Sequence, residues 1–151
     1  MRKIIMVLIA LSSLALLIAC GGASPQLQEI HVELDVVYSL HGDGRVSFDI
    51  STNLPDSTSL MLTLRGDDGS TRQTHIVIES GVATSELFGG PDNTPIAQGS
   101  YVLTVTMSLP GLQDVSVREV MGSNGEALVG DLVEESSVGG NIVRAEFEFE
   151  F

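Results

Sequence analysis

The stretch Ala145-Glu146-Phe147-Glu148-Phe149-Glu150-Phe151 alternates apolar and acidic side chains over its whole length. Successive side chains of a β-strand point to opposite faces, so this alternation predicts a strand with one buried and one solvated face. We expect Phe147, Phe149 and Phe151 to face the core, where they hold the fold and do no chemistry. The three glutamates face water, and the strand is predicted to begin at Ile142.

Similar alternation recurs upstream and predicts two hairpins. A long half-buried strand is expected over residues 30–40, with its apolar side chains on one face: Ile30, Val32, Leu34, Val36, Tyr38 and Leu40. The turn residues of 41–44 then lead into a partner strand over 46–50. Residues 60–64 and 74–78 form the second predicted hairpin, which turns at 66–69.

The middle of the chain combines short strands with a long loop and one ambiguous segment. A short strand is expected to end near Phe88, and residues 89–99, which contain two prolines, are the longest candidate loop. Residues 101–108 read as the next strand. The segment from Asp114 to Met121 fits either a short helix capped by Asp114 or a strand, and we favour the helix.

About seven short strands separated by turn residues predict an all-β fold, an antiparallel sandwich. Within it, Gly99-Ser100-Tyr101-Val102-Leu103-Thr104-Val105 resembles the Gly-x-Tyr opening of a late strand in Ig-like domains. The resemblance implies that the Tyr101 hydroxyl bonds to backbone just upstream and that Tyr101 is structural. The cysteine pair and core tryptophan of antibody domains are missing, so the resemblance is to the broad Ig-like architecture.

Two further motifs carry a second resemblance. Ser51-Thr52-Asn53-Leu54-Pro55-Asp56 and Gly122-x-Asn124-Gly125-x-x-Leu128-x-Gly130 resemble a group of small bacterial secreted proteins that are themselves uncharacterised. This resemblance implies a fold and no activity.

The first residues read as an export signal. Arg2 and Lys3 precede an apolar run from Ile4 to Ile18, which is shorter than the roughly 20 residues of a spanning helix. Residues 1–19 are therefore predicted to be a leader that is removed. The chain of 151 residues then leaves room for one further domain.

Leu17-Ile18-Ala19-Cys20-Gly21 resembles the lipobox of bacterial lipoproteins. The resemblance implies a diacylglycerol on the Cys20 sulfur and cleavage between Ala19 and Cys20. Residues 20–27 then form a short flexible tether, and 28–151 form the Ig-like domain. We expect an extracytoplasmic protein that is anchored by lipid to the cell membrane or, if the host has an outer membrane, to that membrane, because residue 21 is glycine and not the aspartate that signals retention at the inner membrane.

The charge balance of the chain limits its partners. Arg2 and Lys3 belong to the leader, so the remainder has five arginines, no lysine and twenty acidic residues, a formal charge of −15. So acidic a surface repels nucleic acid, which we exclude as a partner, and favours basic proteins or cations.

No pattern of residues in the sequence predicts an enzyme. Cys20 is used by lipidation, and the three histidines have no serine elbow near them in sequence. Methionines on strands are expected to be core residues rather than copper ligands. Four loop carboxylates, those of Asp43, Asp67, Asp68 and Asp92, are candidate calcium ligands, although the EF-hand spacing is absent. No cofactor is predicted.

The sequence thus leads to two hypotheses of different class. The first is a non-enzymatic binding or structural module of the cell envelope that presents loops or a strand edge to an envelope protein. The alternative is an accessory lipoprotein that captures a ligand or a cation such as calcium through acidic loops.

Overall fold

The structure, a computed structural model, describes residues 27–151; the predictions for the leader, Ala19 and Cys20 lie outside this range. Residues 27–151 form strands, one helix and two short 3-10 turns at Pro91–Asn93 and Pro110–Leu112. The strands are β1 (Ile30–His31), β2 (Leu34–Leu40), β3 (Val46–Thr52), β4 (Ser59–Gly66), β5 (Thr71–Val77), β6 (Val82–Thr84), β7 (Ser100–Met107), β8 (Leu128–Val129), β9 (Val133–Glu135) and β10 (Asn141–Glu150). The helix, α1, spans Val115–Met121.

The strands form two main sheets. One has the order β5-β4-β7-β10-β9, the other has the order β2-β3-β6, and all neighbours within them are antiparallel. A separate parallel pair joins β1 to β8. The fold is therefore all-β with antiparallel sheets, which is compatible with a β-sandwich.

A single apolar core contains residues of both main sheets. Phe48 and Ile50 come from β3, whereas Leu62 comes from β4 and Leu103 and Val105 come from β7, and all five are at most 1% exposed. Alternate residues of these strands point to the same face, which explains why a period of two in the sequence yields one buried layer per sheet.

Both predicted hairpins are present. β2 pairs with β3 from Leu34↔Thr52 to Leu40↔Val46, and the chain turns at 41–44. β4 pairs with β5 up to Arg65↔Thr71, and the chain turns at 66–69. Gly69 has a φ of 82°, a left-handed conformation that glycine adopts without steric cost.

The long first strand of the sequence analysis is wrong in part, because the chain leaves one sheet and joins another near Val32 and Glu33. β1 pairs with β8, while β2 pairs with β3. The side chain of Asn53 fills the break: its Nδ2 donates to the carbonyl of His31 at 2.6 Å and its Oδ1 accepts from the N–H of Glu33 at 2.9 Å. One side chain thus replaces the backbone bonds of a missing strand neighbour.

The burial predicted for that strand is also wrong at its end. Val32 and Leu34 are buried, but Tyr38 is 41% exposed and Leu40 is 60% exposed. The end of β2 is therefore less covered than its beginning.

The connection from β7 to β10 holds the favoured helix. Asp114 caps α1 by accepting the N–H of Ser116 at 3.0 Å, and this bond lowers the pKa of Asp114. Val117 and Met121 are buried on the inner face of the helix. The same connection contributes β8 and β9, so the described residues contain more than the seven strands expected.

The molecule has two ends, which we call the helix end and the loop end. At the helix end, α1 lies near the starts of β4 and β10, since Gln113 Nε2 donates to Ser59 and the N–H of Asn141 donates to Asn124. At the loop end, the turns at 41–44 and 66–69 meet the loop 89–99 and Phe151.

Candidate functional site

An aromatic cluster lies between the two sheets on one side of the molecule. The ring of Tyr38, on β2, is 5.3 Å from that of Phe149 and 5.1 Å from that of Phe151, edge to face in both cases. Inside the cluster, Phe149 contacts Phe48, and Phe151 contacts Tyr101. We call the side of the molecule bounded by β2 and β10 the open side.

The outer edge of β2 is unpaired in the part of the chain that the structure describes. Val46 of β3 exchanges both backbone hydrogen bonds with Phe88, which shows that the even-numbered residues of β3 face β6. The odd-numbered residues of β3 must then bond to β2, where Asp49 opposes Val37. Consequently the N–H and C=O groups of Val36 and Tyr38 point away from the sheet.

The second half of β10 has an unpaired edge as well. β9 pairs only with Asn141–Val143. Phe151 and Gly99 exchange both backbone hydrogen bonds, so the odd-numbered residues of β10 bond to β7. The backbone groups of Glu146, Glu148 and Glu150 therefore point outward beyond the end of β9.

The other edges of the main sheets differ from these two. Arg72 on β5 donates from Nε to the carbonyl of Gly89 at 2.9 Å, which holds the segment 86–90 beside that strand. β6 has only three residues. Short edges resist pairing with another chain. The outer edge of β5 has no backbone partner among residues 27–151 either, but β2 and β10 are the open edges that lie together, beside the aromatic cluster.

Exposed apolar side chains accompany the open edges. Tyr38 and Leu40, on the inner face of β2, are 41% and 60% exposed, and Val37, on the opposite face of the strand, is 65% exposed. The two open edges, the side chains of Tyr38 and Leu40 and the half-buried rings of Phe149 and Phe151 lie on the open side.

The carboxylates of β10 border this surface. Glu146 is paired with Arg144 at 3.0 Å. Glu148 and Glu150 have no ion pair or hydrogen bond to another described side chain, and they line a concavity of about 440 Å³ on the outer face of the sheet. Arg65 and Asp67 also line it, so carboxylates outnumber cations three to one.

The residues predicted to be structural lie around the same site. The Tyr101 hydroxyl donates to the carbonyl of Ala97 at 3.0 Å, four residues upstream, and its ring is buried. Burial, and secondarily the charges of Asp68 and Asp67, raise the pKa of Tyr101. Phe147, like Phe149 and Phe151, packs against the core but remains partly exposed.

The calcium candidates do not converge. Asp43 pairs with Arg45 at 2.6 Å, and the Arg45 side chain lowers the pKa of Asp43 through a hydrogen bond. Hydrogen bonds from Ser70 lower the pKa of Asp68. Asp92 lies in the 3-10 turn Pro91–Asn93 of the loop 89–99. Within residues 27–151, no three His, Cys, Asp or Glu side chains lie close enough to hold one metal ion.

The histidines are dispersed. His31 and His75 are exposed on β1 and β5. His41 Nε2 is 2.8 Å from the hydroxyl of Ser47, whose side chain is buried beneath it. No carboxylate of residues 27–151 bonds to the His41 ring, so this pair has no orienting acid like that of a hydrolytic triad in the described part of the chain.

The motif residues of the second resemblance are used by the fold. Asn53 bridges the break before β2, and a Cβ on Gly125 would lie 2.4 Å from the carbonyl oxygen of Asn141. Leu128 is buried. These contacts account for the motifs without a site.

The residues that form the open side were missed by sequence reasoning. Tyr38 and Leu40 belong to the apolar face of an alternating pattern that is typical of a half-buried strand, and no local signal marks them as exposed. Val37 lies on the other face of that pattern.

None of the helices described in residues 27–151 is long and apolar enough to cross a membrane. No protein-family profile, curated protein sequence or solved structure matches the chain.

Proposed function

We propose that this protein is a lipid-anchored, extracytoplasmic binding module, which uses the open side of an Ig-like sandwich to hold another envelope protein. The anchor is a diacylglycerol on Cys20. Its support is the leader, with Arg2 and Lys3 before an apolar run, directly followed by the lipobox-like Leu17 to Gly21. The module acts by binding and not by catalysis.

Strand order supports the Ig-like assignment. In Ig domains, strands A, B and E share one sheet and C, F and G share the other, and variable-type sheets extend the second with C′ beside C. The orders β2-β3-β6 and β5-β4-β7-β10 correspond to A-B-E and C′-C-F-G. Tyr101 then opens strand F, where Ig domains carry their corner tyrosine, and α1 is part of an insertion between F and G.

The observation that carries the proposed binding function is the pair of open edges on one side. An incoming strand can bond to the outward backbone groups of Glu146, Glu148 and Glu150, continuing the sheet beyond β9. Its inward side chains would meet the rings of Phe149 and Phe151. Strand addition of this kind derives affinity from backbone bonds and specificity from alternate side chains.

The negative charge beside the edge of β10 favours a partner with basic residues. The outward side chains of an added strand would lie beside Glu148 and Glu150, so basic residues at alternate positions fit this edge. A second copy of the chain does not fit it, because glutamates would oppose glutamates in a molecule whose described part already has a charge of −15. The partner is therefore an envelope protein that presents a basic strand with alternate apolar residues.

Photo-crosslinking in the native host tests this proposal. A crosslinking phenylalanine analogue at Leu40, on the open side, should trap a discrete partner. The same analogue at Val82, which is 54% exposed on the far edge of the same sheet, is the matched control. Glu148→Arg combined with Glu150→Arg should reduce the Leu40 product several-fold, whereas Glu134→Arg combined with Glu135→Arg, on β9, should leave it unchanged.

Two results would contradict the proposal. One is an identical set of products from positions 40 and 82, which would mean that the open side has no special role. The other is a Leu40 product that resists charge reversal on β10, which would mean that the partner is not recognised by its basic residues.

A further inference from the structure

The described chain begins at the helix end of the molecule. The Cδ1 atom of Leu27 lies 2.9 Å from the position that a Cβ on Gly122 would occupy, just after the last residue of α1. Ile30 then pairs with Leu128 in β1 and β8. The segment that leads back to Cys20 therefore leaves the domain beside the C-terminal end of α1.

That segment is short. Seven peptide units join Cys20 to Leu27, and a fully extended chain of this length reaches about 25 Å at most. A strand of eight residues, such as β7, is itself about 26 Å long. If Cys20 is acylated as proposed above, the helix end is held next to the bilayer.

The helix end carries the most exposed large apolar side chains among residues 27–151. Leu112, in the turn Pro110–Leu112, is 76% exposed, and Val138, in the turn between β9 and β10, is 73% exposed. Both line one shallow groove of about 330 Å³, which extends to Ser123, the residue after Gly122. The groove thus adjoins the point where the chain enters the domain.

No residue that lines this groove is charged. Five arginines and twenty acidic residues are spread over the 125 residues described, so about one residue in five is charged. An uncharged patch with two protruding apolar side chains is unusual on such a surface. When apolar side chains beside a bilayer move from water into the region between the headgroups, the free energy of the system falls.

We propose that Leu112 and Val138 form a membrane-docking surface, which rests on neutral lipid headgroups and inserts both side chains between them. This proposal rests on lipidation at Cys20. Docking would orient the strands steeply to the membrane and place the loop end, with Tyr38, Leu40 and Phe151, on the side away from the lipid. The open side would then face a partner instead of the bilayer.

The absence of tryptophan from the chain provides a clean test. Leu112→Trp and, as a control at the loop end, Leu40→Trp are each introduced into the full sequence, and the acylated product is reconstituted in phosphatidylcholine vesicles. Both positions are well exposed, so neither change disturbs the core. The Leu112→Trp emission should shift to the blue on reconstitution and be quenched by brominated phosphatidylcholine several-fold more than that of Leu40→Trp. Val138→Trp should behave like Leu112→Trp.

Two results would contradict the docking surface. One is equal quenching at positions 112 and 40, and the other is an emission maximum at position 112 as far to the red as that of a tryptophan exposed to water. Mass spectrometry of the same samples separates this outcome from failure of the anchor. Acylated protein without preferential quenching contradicts docking alone, whereas protein without an acyl group at Cys20 contradicts the proposed anchor, and with it the docking surface.

Discussion

Tyr101 connects the loop 89–99 to the core through its buried ring and its hydroxyl. Its ring is buried beside Phe151, and its hydroxyl reaches the carbonyl oxygen of Ala97 in the loop 89–99. Tyr101→Phe keeps the ring and removes the hydrogen bond. We expect the free energy of unfolding to fall by about 1 kcal/mol, as for a typical intramolecular hydrogen bond, in urea denaturation followed by circular dichroism.

The Tyr101 hydroxyl should also make the free energy of unfolding depend on pH. Its pKa is raised above the ordinary value of 10.0 in the folded protein, chiefly by burial. A group whose folded pKa is raised contributes stability that is complete below the unfolded pKa and is lost as pH rises through the folded pKa. The wild type should therefore lose more stability than Tyr101→Phe above about pH 10. Parallel curves for the two proteins would show that the hydroxyl is not desolvated.

Strand β10 allows a matched comparison of its two faces. Phe149 contacts Tyr38 and Phe48 between the sheets, whereas Glu148 points to water on the opposite face. Phe149→Ala should destabilise the protein by about 3 kcal/mol, the lower end for buried phenylalanine, because the ring is only partly buried. Glu148→Gln should stay within about 0.5 kcal/mol of the wild type. Comparable losses in denaturant melts would mean that the strand has the other register.

The positions of several strands can be predicted from local patterns in the sequence. Alternation predicts β10 and both hairpins, because each of those strands has one covered face. The break between β1 and β2 cannot be read in the same way, since Ile30, Val32 and Leu34 alternate without interruption through it. The side chain that bridges the break, that of Asn53, lies about twenty residues downstream, and only the folded chain brings it there.

The open side and the docking surface depend on contacts that are still more distant in sequence. The alternating pattern predicts that Leu40 is a core residue, yet it is 60% exposed in the folded chain. Leu112 and Val138 belong to separate turns that meet only at the helix end. Composition could indicate a basic partner and a leader could indicate a membrane, but neither could place these surfaces at opposite ends of the molecule.

The lipid anchor is tested by removing the one sulfur atom that carries it. The wild type expressed in a bacterial host should partition into detergent and carry a diacylglycerol on Cys20 in mass spectra. Cys20→Ala should remain unacylated and should not lose its leader by the lipoprotein route. Mature wild-type protein without an acyl group would contradict the anchor.

Binding through open strand edges requires that those edges be open in the free protein, and backbone amide hydrogen exchange measures this directly. The amides of Val36, Tyr38, Glu148 and Glu150 should exchange fast, because they point away from their sheets. The amides of Val37, Phe147 and Phe149 bond to β3 or β7 and should exchange slowly. Slow exchange at all seven positions would show that both edges are already covered, and would contradict the proposed binding site.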